Sequence, residues 1–170
     1  VDTPVRYDVP SLGSTHFGDP IPLWVVRHPD DSVSALIGRD PHSGCVVPWD
    51  PNYRVGGITV GPNGPAVEPG TPGAFKALCS GWVFLADGSK SFGASPRGLD
   101  GFPVRRRGDE AVVDLTRYEL GVCAPGTDTT WPCSRPGAPT VVDALPAPII
   151  YHWGLPDMAP SAATPRTGRP

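Results

Sequence analysis

The sequence predicts an all-β fold with long loops, and three observations support this. Hydrophobic residues make up 39% of the 170-residue chain, and they fall in short runs bounded by turn residues, a pattern that disordered chains lack. Glycine and proline, at 21 and 24 residues, are too frequent for long helices. Two pairs of alternating runs flank turn sequences typical of β-hairpins. The length predicts one domain with tails, large enough to bury a core.

The first predicted hairpin lies near the N-terminus. Ile21–Arg27 forms an apolar strand, His28–Asp31 is a turn sequence, and Val33–Ile37 alternates as the return strand. Residues 44–49 form another short apolar run. The stretch from Asp50 to Gly73 is too rich in glycine for a helix.

Two further strand pairs are predicted in the second half. Phe75–Leu85 carries two strand-like pieces around Ser80-Gly81, and residues 86–89 form a strong turn signal. Residues 102–106 and 110–115 flank Gly108-Asp109 as the last hairpin. Residues 116–120 fit either one helical turn or a strand extension.

Charge and motifs exclude several function classes. The net charge of −3 argues against nucleic acid as a partner. The basic run Arg105–Arg107 is short and flanked by acidic residues, as expected of a solvated strand end. The chain has no phosphate-binding loop, no Gly-x-Gly-x-x-Gly and no Ser–His–Asp order, so the sequence leans against an enzyme.

The composition also indicates the growth temperature to which the protein is adapted. Twelve Arg accompany only two Lys, glutamine is absent, and the loops are rich in proline. These features fit a heat-adapted protein, although a GC-rich genome would produce some of the same bias.

Four cysteines lie at positions 45, 79, 123 and 133, and none belongs to a Cys-x-x-Cys metal motif. Their even number predicts two disulfides and an oxidising compartment. Cys123 and Cys133 are ten residues apart and suit a short closed loop, which leaves Cys45 to pair with Cys79.

No apolar run approaches the roughly 18–20 residues of a membrane span, and no secretory segment is visible. The chain begins at Val rather than Met, so we expect a processed form or part of a longer protein, with any anchor outside this sequence.

Three segments together carry a family resemblance. They are Asp40–Cys45, Ala77–Trp82 and Gly93–Val104. In that order they resemble the two cluster-binding loops and the proline loop of Rieske iron–sulfur proteins, especially those of respiratory chains. The resemblance extends from about residue 23 to 115, over half the chain. It implies a Rieske-like fold of small stacked antiparallel sheets with a loop-rich former cluster-binding subdomain.

Rieske proteins hold a [2Fe–2S] cluster with two cysteines on one iron and two histidines on the other. The first loop of the family runs Cys-x-His-x-Gly-Cys, and here Asp40 stands at the ligand cysteine while His42 keeps the histidine. The second runs Cys-Pro-Cys-His-Gly-Ser, and here Ala77 and Ser80 stand at the ligand cysteine and histidine. With three of four ligand positions changed, no cofactor is expected.

The remaining positions agree with this interpretation. Cys45 and Cys79 keep the places of the family's loop-to-loop disulfide. Trp82 replaces a small serine and Leu78 a proline, and we expect both side chains to fill the vacated cavity. Phe84 stands where the family usually has a tyrosine whose hydroxyl tunes the cluster.

The resemblance also implies a division of the chain. Residues 1–20 are an N-terminal extension, and residues 21–121 are the Rieske-like domain, with a part similar to the cluster-binding subdomain at about 38–98. Residues 122–147 form a proline-rich extension with one disulfide, and residues 148–170 form a C-terminal tail.

These features predict a structural or interaction subunit without a cluster. Rieske folds sit on the outer face of membrane-bound respiratory or photosynthetic complexes, so we expect an extracytoplasmic location and partner subunits of such a complex. Association with the membrane would come through those partners or a removed anchor. The apolar residues near the C-terminus are the candidates for partner contact: Ile149, Ile150, Tyr151 and Trp153.

Two alternatives remain open. The chain could be an electron-transfer protein that holds a [2Fe–2S] cluster with unusual ligands, which requires Cys123 and Cys133 to give up their disulfide and approach the first loop. It could also hold a single metal ion with Asp40 and His42, completed by a carboxylate or imidazole from elsewhere.

Overall fold

A computed structural model describes residues 3–15, 17–56, 58–61, 64–67, 70–127 and 131–146. Within these ranges the chain forms strands and one short 3-10 turn (Pro10–Leu12), and no α-helix. The all-β prediction is confirmed. The strands are β1 (Val5–Asp8), β2 (Pro22–Arg27), β3 (Val33–Ile37), β4 (Trp49–Val55), β5 (Ile58–Gly61), β6 (Gly64–Val67), β7 (Thr71–Lys76), β8 (Val83–Phe84), β9 (Lys90–Phe92), β10 (Gly101–Phe102), β11 (Val104–Arg107), β12 (Glu110–Val113), β13 (Tyr118–Glu119) and β14 (Val141–Val142).

The larger sheet has six strands in the order β1-β2-β3-β10-β13-β14, and every neighbouring pair is antiparallel. The first predicted hairpin is confirmed, since β2 and β3 pair with Leu23 opposite Ile37 and Arg27 opposite Val33. Tyr118 and Glu119 extend this sheet as a strand, which decides between the two predictions for residues 116–120.

The smaller sheet has four strands in the order β4-β7-β8-β9, and all of them lie between residues 49 and 92. The strands β7 and β8 confirm the two predicted pieces around Ser80-Gly81. Two separate hairpins, β5-β6 and β11-β12, complete the strand pairing. The second of them confirms the hairpin predicted around Gly108-Asp109.

The main core lies between the two sheets. Side chains of β2 and β3 alternate between the two faces of the larger sheet, and those at positions 24, 26 and 36 face the smaller sheet. Trp24, Val26 and Leu36 pack there against Phe75 and Phe84 from β7 and β8. Trp24 also donates its indole N–H to the backbone carbonyl of Val47 at 3.0 Å. A second cluster covers the opposite face of the six-stranded sheet, with these buried members: Ile21, Leu23, Ala35, Ile37 and Phe102.

Both ends of the described chain join the six-stranded sheet. β1 comes from the predicted N-terminal extension, and β14 comes from the predicted proline-rich extension. Isolated bridges also link Arg97 to Cys123 and Val122 to Ser134. These flanking segments therefore add strands to the same sheet as residues 21–121.

Candidate functional site

Two loops joined by a disulfide lie at one end of the smaller sheet, and we call them loop 1 (Asp40–Cys45) and loop 2 (Ala77–Trp82). Each is a tight turn. In loop 1 the Gly44 N–H donates to the carbonyl of Asp40 at 2.9 Å, and in loop 2 the Gly81 N–H donates to that of Ala77 at 2.9 Å. Both glycines have positive φ, at 73° and 70°, which favours glycine at these positions.

Both predicted disulfides are confirmed. Cys45 and Cys79 join loop 1 to loop 2 with a Cα–Cα distance of 6.0 Å, and Cys123 pairs with Cys133 at 5.0 Å. No cysteine of the chain is free. The electron-transfer alternative that uses Cys123 and Cys133 as ligands therefore requires opening a disulfide that the structure contains.

The carboxylate of Asp40 is the polar centre of the two loops. Asp40 is fully buried, and its Oδ1 accepts the backbone N–H of His42 at 2.9 Å. Its Oδ2 accepts the hydroxyl of Ser43 in the same loop and the hydroxyl of Ser80 in loop 2, the latter at 3.1 Å. A buried carboxylate needs such donors, because an unpaired charge in the interior is costly. The structure thus brings two of the four positions that the resemblance aligns with cluster ligands, 40 and 80, into direct contact.

The other two of these four positions, 42 and 77, differ from each other in environment. Ala77 is 1% exposed and packs in the main core. The imidazole of His42 is half-buried and lies edge-on to the indole of Trp82, with ring centroids 6.2 Å apart. The four positions therefore present one carboxylate, one imidazole and one hydroxyl, and no thiolate.

Of the two side chains predicted to fill a cavity, Trp82 packs against the core and Leu78 does not. Trp82 packs between His42 and Phe92 and against Gly93, where an added Cβ would lie 2.2 Å from the indole ring. Leu78 is 69% exposed, so the prediction that it fills the cavity is wrong. The reason is local: the Leu78 N–H donates to the Val46 carbonyl at 3.1 Å, and its side chain projects from the turn into solvent.

The donor set does not fit a [2Fe–2S] cluster. A Rieske centre requires two thiolates on one iron, and the two cysteine sulfurs of loops 1 and 2 are bonded to each other. Among the residues that the structure describes, no group of three or more His, Cys, Asp or Glu side chains is placed to hold a metal ion. The third ligand required by the mononuclear alternative at Asp40 and His42 is thus not supplied by the described part of the chain.

A buried ion pair lies in the third segment of the resemblance, and sequence reasoning missed it. Arg97 and Asp100 are each 1% exposed, and the guanidinium donates to both carboxylate oxygens at 2.7 and 2.8 Å. Arg97 also donates to the carbonyl of Pro132 at 3.1 Å, while Asp100 accepts the Gly121 N–H at 3.0 Å. The sequence signal for this ion pair was the spacing of three residues between an Arg and an Asp in a largely apolar stretch.

Arg39, directly before loop 1, connects this region to the C-terminal part of the chain. Its guanidinium donates to the carbonyl of Pro146 at 2.8 Å. Burial lowers the pKa of Arg39, and the nearby carboxylate of Asp100 opposes that effect. The candidates for partner contact, Ile149, Ile150, Tyr151 and Trp153, lie outside the described residues.

Comparison of the chain with protein-family models, with curated proteins and with solved structures found no match. The similarity to Rieske proteins therefore rests on the loop motifs quoted above. In the part of the chain that the structure describes, no helix is long and apolar enough to cross a membrane.

Proposed function

We propose that this chain is a Rieske-like module without an iron–sulfur cluster, which serves as a structural or interaction subunit. Its host would be a membrane-bound respiratory or photosynthetic electron-transfer complex, on the outer face of the membrane. The observation that carries the proposal is the hydrogen bond between Asp40 and Ser80. Two residues at former ligand positions bind each other across the disulfide.

The chemistry of the substitutions supports this proposal. Where a cluster would be bound to both loops, the carboxylate of Asp40 now receives donors from both, so the loops stay connected without iron. Ala77 provides no donor atom and extends the apolar core instead. The residues at positions 40, 77 and 80 are mutually consistent, because each either takes part in the buried hydrogen bonds or extends the core.

The position of Pro146 supports an interaction role. Arg39 holds its carbonyl beside loop 1, and the apolar residues Ile149–Trp153 begin three residues later. Three residues reach about 10 Å when extended, so a partner that binds this segment would also meet the two loops. The exposed side chain of Leu78 would then be part of the same contact surface. The two disulfides are consistent with the proposed extracytoplasmic location.

Iron and acid-labile sulfide analysis of the natively purified protein, with an EPR spectrum after reduction, tests the absence of a cluster. We expect neither iron nor sulfide in stoichiometric amount and no [2Fe–2S] signal. A coloured, sulfide-containing preparation with that signal would contradict the proposal and favour the electron-transfer alternative.

The Rieske resemblance itself is tested by restoring the ligands. The quadruple variant Asp40→Cys, Ala77→Cys, Ser80→His and Trp82→Ser should acquire iron and sulfide on reconstitution and give a Rieske-type EPR signal. The matched control keeps Ala77, which leaves one iron with a single thiolate, and should remain colourless. Failure of the folded quadruple variant to take up iron would contradict the assignment of the two loops.

Affinity purification from native membranes tests the interaction role. The chain should recover membrane subunits that carry haem or iron–sulfur absorption. The substitution Leu78→Asp should reduce this recovery, whereas Val112→Asp, a similarly exposed apolar position on the separate hairpin β11-β12, should not. Equal recovery with both variants would exclude the loops as the contact surface.

A further inference from the structure

β1 is one of the two edge strands of the six-stranded sheet, and among the residues that the structure describes no strand pairs with its outer side. β1 pairs with β2 on one side, from Val5 opposite Val25 to Asp8 opposite Pro22, and all four of its residues are exposed. An exposed strand edge is a ready template for pairing with another strand.

The hydrogen bonds of β2 determine which backbone groups of β1 face outward, and Pro22 fixes their direction. The Pro22 carbonyl accepts the Gly38 N–H at 2.7 Å, on the β3 side, so its polar backbone group faces away from β1. Along a strand of an antiparallel sheet, the N–H and carbonyl groups of successive residues point alternately to the two neighbouring strands. The backbone groups of Leu23 and Val25 therefore face β1. They meet those of Tyr7 and Val5.

It follows that the N–H and carbonyl groups of Arg6 and Asp8 face the open edge. Two prolines, Pro4 and Pro10, stand at the next outward positions in each direction and have no N–H to donate. Of these four outward positions, only Arg6 and Asp8 therefore offer both an N–H donor and a carbonyl acceptor.

We propose that this edge pairs with the same edge of a second copy of the chain, in antiparallel orientation about a two-fold axis. The pairing places Arg6 opposite Asp8 of the second copy, Asp8 opposite its Arg6, and Tyr7 opposite its Tyr7. Both outward residues then exchange hydrogen bonds with their counterparts, four in total.

The charges of Arg6 and Asp8 favour this register over the two registers shifted by two residues. A shift of the second copy by two residues in one direction places Arg6 opposite Arg6, and in the other direction Asp8 opposite Asp8. Each shift also places the remaining outward residue opposite a proline. Like charges directly opposite destabilise a strand pair, and opposite charges stabilise it. Arg6 and Asp8 already form an ion pair within one strand, at 3.1 Å, and their side chains remain 50% and 77% exposed, free to meet a second copy.

The side chains on the other face agree with this register. Val5 and Tyr7 are 52% and 50% exposed at the margin of the apolar face that Leu23 and Ile37 cover. At the two-fold axis the two Tyr7 side chains would lie side by side, since a pair that is not hydrogen-bonded brings its side chains closest. Aromatic pairs across strands are among the stabilising ones.

A pair of charge-reversed variants of the full chain tests the proposal. Arg6→Asp presents two acidic residues to the edge and Asp8→Arg presents two basic ones. By sedimentation over a concentration series, the wild type should dimerise and each variant alone should be monomeric. An equimolar mixture of the two variants should recover the dimer, because every Asp then lies opposite an Arg.

Cross-linking tests the register without relying on charge. Tyr7→Cys places two thiols at the axis, about 4.5 Å apart between Cα atoms, within the range that a disulfide spans. Under mild oxidation this variant should form a covalent dimer. The matched control Val5→Cys places its two thiols four residues apart along the strand, about 13 Å, and should not. The native cysteines are all paired and do not compete.

Circular dichroism of each variant establishes that it is folded. A wild type that stays monomeric throughout, with no Tyr7→Cys cross-link, overturns the proposal. So does a mixture that remains monomeric, or a Val5→Cys variant that cross-links as readily as Tyr7→Cys. The result does not depend on the proposed function, because neither iron content nor membrane partners enter the measurements.

Discussion

At the scale of single residues, Asp40 shows how a buried carboxylate is satisfied at a position where the resemblance places a cysteine ligand. Its two oxygens accept three donors, one from the backbone and two from serine hydroxyls. Of these donors, Ser80 alone belongs to the other loop. Position 40 is therefore a structural link, and its environment is satisfied without an ion.

Removing this acceptor should be more costly than removing one donor. Asp40→Ala leaves the Ser43 and Ser80 hydroxyls and the His42 N–H without their acceptor and should lower the free energy of unfolding by about 2–4 kcal/mol. Ser80→Ala removes one donor and should cost about 0.5–1.5 kcal/mol. Urea denaturation measures both. Equal losses for the two variants would mean that Asp40 does not organise the loops.

Exposed aspartates in the turns predict how the free energy of unfolding changes at acidic pH. The Ser32 hydroxyl and backbone N–H hold the pKa of Asp30 below its ordinary value of 3.8, and those of Thr116 do the same for Asp114. A hydrogen bond and the charge of Arg27 lower the pKa of Asp31.

A pKa that is lower in the folded than in the unfolded state stabilises the fold above the unfolded value, and that stability is lost as the pH falls. The free energy of unfolding should therefore decrease as the pH drops below about 5. The double variant Asp30→Asn and Asp114→Asn should show a shallower decrease in urea titrations at successive pH values. An unchanged slope would contradict a role for these carboxylates.

At the scale of elements, the Arg97–Asp100 pair connects segments that are distant in sequence. Arg97 reaches the carbonyl of Pro132 inside the Cys123–Cys133 loop, and Asp100 receives the Gly121 N–H. The segment Gly93–Val104 thus holds the C-terminal extension in place. The close approach of Gly121 to the Gly98 carbonyl, where an added Cβ would lie at 2.1 Å, belongs to the same contact.

Breaking this pair should be strongly destabilising. Arg97→Met leaves the Asp100 carboxylate buried without its cation and should cost about 3–5 kcal/mol, measured by chemical denaturation. Arg117→Ala removes a surface ion pair with Asp114 and serves as the control, with a loss of at most about 1 kcal/mol. The double variant Arg97→Met and Asp100→Leu should recover part of the loss, because no charge is then left buried. A small effect of Arg97→Met alone would indicate that water reaches Asp100.

At the scale of the whole molecule, the two disulfides close loops of different size. Cys45 and Cys79 are separated by 34 residues, and Cys123 and Cys133 by 10. The larger loop restricts the unfolded chain more, so its closure contributes about 3.8 kcal/mol against about 2.7 kcal/mol for the smaller one in the loop-entropy description.

Replacing each pair of cysteines by serine should therefore lower the melting temperature in that order, with the larger decrease for Cys45 and Cys79. Differential scanning calorimetry of the two double variants measures it. The reverse order would mean that the Cys123–Cys133 loop contributes native-state contacts beyond its closure.

Much of the fold was predictable because the signals were local. Alternating apolar residues on either side of turn sequences predicted the hairpins of β2 with β3 and of β11 with β12. The spacing of four cysteines predicted both disulfides. These features depend on a few neighbouring residues, or on a pairing with few alternatives. The order of strands in the six-stranded sheet, with β10 between β3 and β13, had no such local signal.

The sequence by itself determined the strand pattern, the disulfide pairs and the departure from the Rieske ligand pattern at three of four resemblance positions, since these follow from residue identity and spacing. Only the tertiary structure decided what surrounds the residues at those positions. Asp40 meets Ser80 from forty residues away, Arg97 meets Pro132 from thirty-five, and Leu78 faces solvent instead of the core. Such outcomes depend on how distant segments pack, because a side chain finds its partner or its exposure only once the sheets are assembled.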